Sequence, residues 1–117
     1  MPNYELNHAA VRHARTLIDA GTFDDASGWS DAAPSTDDGN RVIEKDGWEA
    51  FAAWHLAVDP EANDETKKRY AFPYGNFDRV VRAALIHGKQ RASQNDHGEI
   101  ENAMDDLLQR LDAKRGD

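Results

Sequence analysis

Trp48-Glu49-Ala50-Phe51-Ala52-Ala53-Trp54-His55-Leu56-Ala57-Val58-Asp59-Pro60 is the stretch on which the architecture turns. Asp46 and Glu49 precede its apolar run in an Asp-x-x-Glu spacing, a capping pattern for a helix N-terminus. Trp48, Phe51, His55 and Val58 then fall on one stripe at helical spacing, with Trp54 beside it. Pro60 has no N–H to give a helix, so the spacing predicts a second helix that closes near residue 58.

Outward from it, helical signals continue on both sides. Asn3 is an N-cap type of residue, and Leu6, Ala10, His13, Ala14, Leu17 and Ile18 repeat behind it. Gly21 suits a left-handed helix terminus, so helix 1 is expected over residues 4–20. Residues 22–45 read as a long acidic loop of turn formers, with Trp29 as an anchor that pins it to the core. Within it, Arg41-Val42-Ile43-Glu44 fits a short strand or a helical turn equally well, and Glu61 to Glu65 is a polar link. Tyr70-Ala71-Phe72-Pro73-Tyr74-Gly75 is extended, because Pro73 disfavours the helical region at Phe72. Helix 3 is expected from about Phe77 to Ala92, behind Asn76 as cap. Its face of Val81, Ala84, Leu85, Gly88 and Ala92 is small enough for another helix to approach closely. Asp96 and Glu99 repeat the capping pattern before helix 4, whose stripe is Ile100, Ala103, Met104, Leu107, Leu108 and Leu111.

The fold expected from these signals is all-α. It has about four helices, a long acidic loop and one extended aromatic segment, with a two-stranded ribbon as the only β alternative. The 117 residues form a single helical domain, 1–117, in which Trp48, Phe51, His55, Ala84, Leu85, Leu107 and Leu111 share one core.

Composition narrows the function classes. There is no Cys, which excludes a disulfide scaffold, a thiolate zinc site and a cysteine nucleophile. No apolar run approaches the roughly 20 residues of a membrane span. Met1-Pro2-Asn3-Tyr4 shows neither the charged nor the apolar region of a signal peptide, so a cytoplasmic domain without membrane contact is expected. Asp outnumbers Glu 15 to 7 and Arg outnumbers Lys 9 to 5, a bias that a GC-rich genome and adaptation to high salt both produce.

The chemistry-bearing motifs are sparse. Glu5 and His8 have the Glu-x-x-His spacing of carboxylate-bridged metal bundles, but no second copy exists. His8 is then a surface group, His13 an edge-of-core residue and His55 a hydrogen-bonded core residue. Nucleophile-elbow, dinucleotide and phosphate-loop signatures are all missing. The expectation is a protein without catalysis, metal or cofactor.

Charge is the informative feature. The chain carries −8 overall, yet residues 67–92 hold 7 basic residues against 1 acidic. Lys67, Lys68, Arg69, Arg79, Arg82, Lys89 and Arg91 make this block. Arg79, Arg82 and Lys89 lie within one arc of helix 3, away from its apolar stripe. Tyr70, Phe72 and Tyr74 alternate just upstream, so an extended chain points all three one way. Ile86 lies on the wheel between Arg79 and Arg82, opposite the stripe of Val81 and Leu85, as an apolar residue with something to contact. The expected site is therefore Lys67, Lys68, Arg69, Tyr70, Phe72, Tyr74, Arg79, Arg82, Ile86 and Lys89, an anionic or partner surface. The expected function is a small interaction or assembly protein whose partner is a second copy or an acidic protein. A nucleic-acid-associated protein using the same block is the alternative, with the net negative charge against it. Internal pairing of the block with the acidic helices is the competing use of the same charges.

Trp54-His55-Leu56, then Glu65-Thr66-Lys67-Lys68-Arg69-Tyr70-Ala71-Phe72-Pro73-Tyr74-Gly75-Asn76-Phe77, together with the opening Asn3-Tyr4-Glu5-Leu6-Asn7-His8, resemble a family of small, largely uncharacterised bacterial proteins with similar segments in phage and prophage proteins. The resemblance covers nearly the whole chain, implies no particular activity, and links the chain to phage-related proteins. Asn76 stands where such relatives often have Asp, and Val81 where they often have His. Any chemistry resting on that His is absent here.

Overall fold

The computed structural model describes residues 3–116. Met1, Pro2 and Asp117, part of the expected 1–117 domain and of the start read for targeting, lie outside them. Within the described residues the chain is mixed α/β, with six α-helices and five short strands, which corrects the all-α expectation.

Strand β1 (Glu5–Leu6) leads into α1 (His8–Asp19), then β2 (Phe23–Asp24), α2 (Trp29–Ala32), α3 (Thr36–Asp46), α4 (Trp48–Ala52) and β3 (His55–Val58). A 3-10 turn at Lys67–Arg69 precedes β4 (Tyr70–Pro73), and β5 (Val80–Val81), α5 (Arg82–Gln94) and α6 (Gly98–Lys114) complete the chain. Strand β3 is the centre of an antiparallel sheet in the order β1-β3-β4, and β2 and β5 form a separate parallel pair.

The decisive correction falls on the opening stretch. The expected second helix is a five-residue helix, α4, that stops and becomes the central strand. Short apolar runs read alike as buried helix or doubly covered strand, and here tertiary pairing selects the strand. Ala57 lies opposite Leu6 on one side and Ala71 on the other, and His55, Leu56 and Ala57 are all buried. Asn7 fixes the junction. Its backbone N–H donates to the Leu56 carbonyl at 2.8 Å, and its side-chain amide donates to the carbonyls of Ala52 and His55 at 3.0 and 3.2 Å. Those carbonyls belong to the chain as it leaves α4, where helical partners run out.

The same pairing shortens helix 1, which starts at His8 because Glu5 and Leu6 are spent on β3. Its end follows expectation. Gly21 takes φ +77°, its N–H reaches the Ile18 carbonyl, and the Thr22 N–H reaches that of Leu17, the pairing of a Schellman terminus. The segment expected as an irregular loop over 22–45 contains two helices. Its Ser and Asp residues act as caps rather than turn formers: the Ser35 hydroxyl accepts from Asp38 N–H while the Asp38 carboxylate accepts from Ser35 N–H. Arg41-Val42-Ile43-Glu44 is thereby helical. Helix 3 begins later than expected, at Arg82, because Val80 and Val81 pair with Phe23 and Asp24. Asp96 caps nothing; it sits at φ +58° and His97 is the residue at the helix boundary.

The main core lies between α1, α5, α6 and the sheet, and includes Ile18, Leu56, Tyr74, Leu85, Met104, Leu107 and Leu111. The small face of α5 serves as expected. A Cβ on Gly88 would lie 2.3 Å from the Met104 methyl carbon, so the Met104 side chain packs directly over this glycine and would have to turn aside for a larger residue. Phe51 and His55 are buried beside this core rather than in it, within an aromatic cluster that includes Tyr70 and Phe77, and Trp48 is half-buried at its edge.

Candidate interaction surface and adjoining cavity

The expected basic and aromatic site is largely drawn into the fold. Arg82, in the first turn of α5, donates from Nε and Nη2 to both carboxylate oxygens of Asp112 on α6 at 2.7 and 3.0 Å. Lys89 donates to Asp105 at 2.8 Å. The Lys89 hydrogen bond holds the Asp105 carboxyl below its usual range, and Arg82 does the same for Asp112. Arg69 donates to the carbonyls of Ala62 at 2.8 Å and Asp59 at 3.3 Å, tying down the polar link, and approaches Asp64 at 3.6 Å. Lys67 donates to the Thr36 carbonyl at 3.3 Å. Arg91 lies over the Phe72 ring, 5.6 Å from its centroid. Lys68 and Arg79 remain exposed, the latter 3.7 Å from its neighbour Asp78.

The three aromatics do not share a face, which corrects the expected row. Phe72 takes φ +59° inside β4, which breaks the simple alternation. Tyr70 packs edge-on to Phe51, Phe72 packs against Tyr4 and His97, and Tyr74 stacks on Trp54. Phe72 and Tyr74 are buried, and Tyr70 is half-buried. Tyr74 is a hub. Its hydroxyl donates to the Ala53 carbonyl at 2.7 Å and accepts from His13 Nδ1–H at 2.6 Å. Burial lowers the pKa of His13 and raises that of Tyr74, so both stay neutral as this arrangement requires.

Ile86 is where the expected surface persists. It is half-buried on α5 and lines a groove of about 500 Å³ with Leu108 of α6. Lys89, Gln90, Gln94 and Glu101 stand around these two aliphatic side chains. Leu108 belongs to the stripe expected of helix 4, yet it is only partly covered. The rim therefore carries both signs of charge, because Lys89 and Glu101 share one groove and Asp105 already neutralises part of the cation.

A second concavity lies beside β3, about 280 Å³, between Trp29, Phe51, His55, Lys67 and Phe77. Trp29 is half-buried on this wall rather than in the main core. His55 Nδ1–H donates to the Phe51 carbonyl at 2.8 Å, and burial lowers its pKa to about 4. No sequence motif marked this cavity.

His8 is exposed, and Glu5 belongs to β1 rather than to the helix that carries His8, so the Glu-x-x-His pair does not present one helical face. Among the described residues, no group of three or more His, Asp or Glu side chains converges as a metal site. Among the same residues, no helix is long and apolar enough to cross a membrane. Compared with family models, with curated proteins and with solved structures, the chain matches none.

Proposed function

We propose that this chain is a small non-catalytic interaction protein that assembles with a second copy of itself through the α5–α6 groove centred on Ile86 and Leu108. The observation that carries the reading is the pair of half-exposed aliphatic residues inside a rim of mixed charge. Apolar side chains on an otherwise charged helix face gain nothing from water and gain when a partner covers them. A rim holding Lys89 beside Glu101 and Asp105 has no excess of positive charge, which a second copy of the same mixed surface tolerates better than an acidic partner does. An acidic partner has less support, since Arg82 and Lys89 already face Asp112 and Asp105. The nucleic-acid alternative has less support for the same reason, because a block spent on internal pairs releases few counterions on binding.

Sedimentation velocity of wild type beside Ile86→Glu tests the reading. Wild type is expected to be dimeric at high micromolar concentration, and the variant monomeric with unchanged helicity. Two monomers at that concentration, or two dimers, would refute it.

A further inference from the structure

The cavity beside β3 has the attributes of a ligand site, and they are independent of the α5–α6 groove. In a chain with 22 acidic residues, none of the residues lining this cavity is acidic. Its one cation, Lys67, makes a single hydrogen bond, to the Thr36 carbonyl, and among the described residues no carboxylate pairs with it. The other basic residues that flank the cavity in sequence are differently placed: Arg69 is spent on the Asp59–Ala62 carbonyls, and Arg41 pairs with Asp38. A lysine at a cavity wall without a counterion can give an arriving anion a charge-assisted hydrogen bond.

Two further groups define what accompanies the anion. His55 is 7% exposed and is neutral, with Nδ1–H committed to the Phe51 carbonyl. Its Nε2 is then an acceptor; no protein group among the described residues bonds it, and it is not an enclosed atom, so it is open to the cavity that the ring lines. Trp29, Phe51 and Phe77 supply flat apolar walls. Gly39 keeps the floor open. It is buried within α3, where glycine is disfavoured relative to alanine. A Cβ there would lie 3.1 Å from the Phe51 ring and 3.6 Å from Lys67 Nζ, intruding on the space between them.

We infer that this cavity binds a small planar aromatic monocarboxylate bearing a ring N–H, with the carboxylate on Lys67, the N–H on His55 Nε2 and the ring between Trp29 and Phe77. The volume of about 280 Å³ suits one or two fused rings rather than a larger cofactor.

The experiment is an NMR titration of isotope-labelled full-length protein with indole-3-acetate, indole-3-acetamide and 1-methylindole-3-acetate as probes. Indole-3-acetate is expected to give saturable shifts at the Trp29 indole N–H and the His55 ring. The amide, which lacks the charge, and the N-methyl acid, which lacks the donor, are each expected to bind about tenfold more weakly, the scale of one charge-assisted or one buried hydrogen bond. Lys67→Met should abolish the preference for acid over amide. Gly39→Ala favours the helix and should still weaken the acid several-fold by narrowing the floor, so it remains informative if Lys67→Met folds poorly. The inference is overturned if indole-3-acetate gives no saturable shifts at millimolar concentration. It is equally overturned if acid and amide bind alike, or if folded Lys67→Met or Gly39→Ala binds as wild type does.

Discussion

Gly75→Ala is expected to destabilise the protein by about 3 kcal/mol or more, a large share of the total for a domain of this size. Gly75 follows β4 and bridges to Val80, where the chain reverses toward β5. A Cβ there would lie 2.3 Å from the Arg79 carbonyl oxygen and 2.6 Å from the Trp54 ring. The first neighbour is backbone. It is held by the Asn76 N–H, which donates to that carbonyl at 3.1 Å, and by the Asn76 carboxamide oxygen, which accepts from Asp78 and Arg79 N–H. The second is an indole stacked on Tyr74 and packed edge-on against His13. Neither has room to yield, unlike a flexible side-chain tip. Urea denaturation should show the midpoint falling with little change in slope. A loss under 1 kcal/mol would mean that the close approach of this turn to Trp54 is not as described.

Acidification from pH 7 to pH 4.5 is expected to remove roughly 2–3 kcal/mol of stability, most of it above the carboxylate range. His55 is the main source, since burial in the aromatic cluster lowers its pKa from 6.5 to about 4. The unfolded chain therefore binds a proton in this window that the folded chain refuses. Stability is full above the unfolded value near 6.5 and is lost as pH falls toward the folded value. His13 is shifted the same way by burial and adds to the slope. The paired carboxylates of Asp19, Asp105 and Asp112 are depressed, so their contribution falls away only below the normal carboxylate range of 3.8. Urea midpoints at half-unit steps of pH should decline between 6.5 and 4.5 in wild type and flatten in His55→Gln. An even profile across that window in wild type would contradict the buried neutral histidine.

These two positions also show how the sequence is legible and where it is not. The long helices declared themselves because their apolar spacing is carried over several turns: α6 places Ile100, Met104, Leu107 and Leu111 in the core as its stripe predicts. Gly21 marked its helix end for a local reason, a positive φ that glycine tolerates. His55 lies on an apolar run whose spacing fits a helix, and seven residues from Ala52 to Val58 cannot distinguish a helix from a strand by periodicity. What selects the strand is its partners, Glu5–Leu6 and Tyr70–Pro73, which lie far away in sequence. The Asp- and Ser-rich stretch before it misled in the opposite direction, since the side chains that compete with helix interiors are the ones that cap helix starts.

The candidate surfaces divide in the same way. Ile86 was identifiable from one helix wheel, as an aliphatic side chain on a charged arc. Its neighbour Leu108 lies on another helix and looked like ordinary core. The charge block was visible as a sum over residues 67–92, but its fate depended on Asp105 and Asp112, which sit opposite only after α5 and α6 pack together. The cavity beside β3 was beyond reach, because Trp29, Gly39, Phe51, Lys67 and Phe77 come from separate segments that share no spacing.

Amide hydrogen exchange at low and high micromolar protein concentration tests the assembly surface most directly, since it needs no substitution and reports position. Self-association through the α5–α6 groove predicts added protection at high concentration confined to the exposed turns around Ile86–Gln90 and Leu108, with α3 and the turn at Gly75 unchanged. Identical exchange at both concentrations, or protection that appears on α3 and not on α5 and α6, would contradict it.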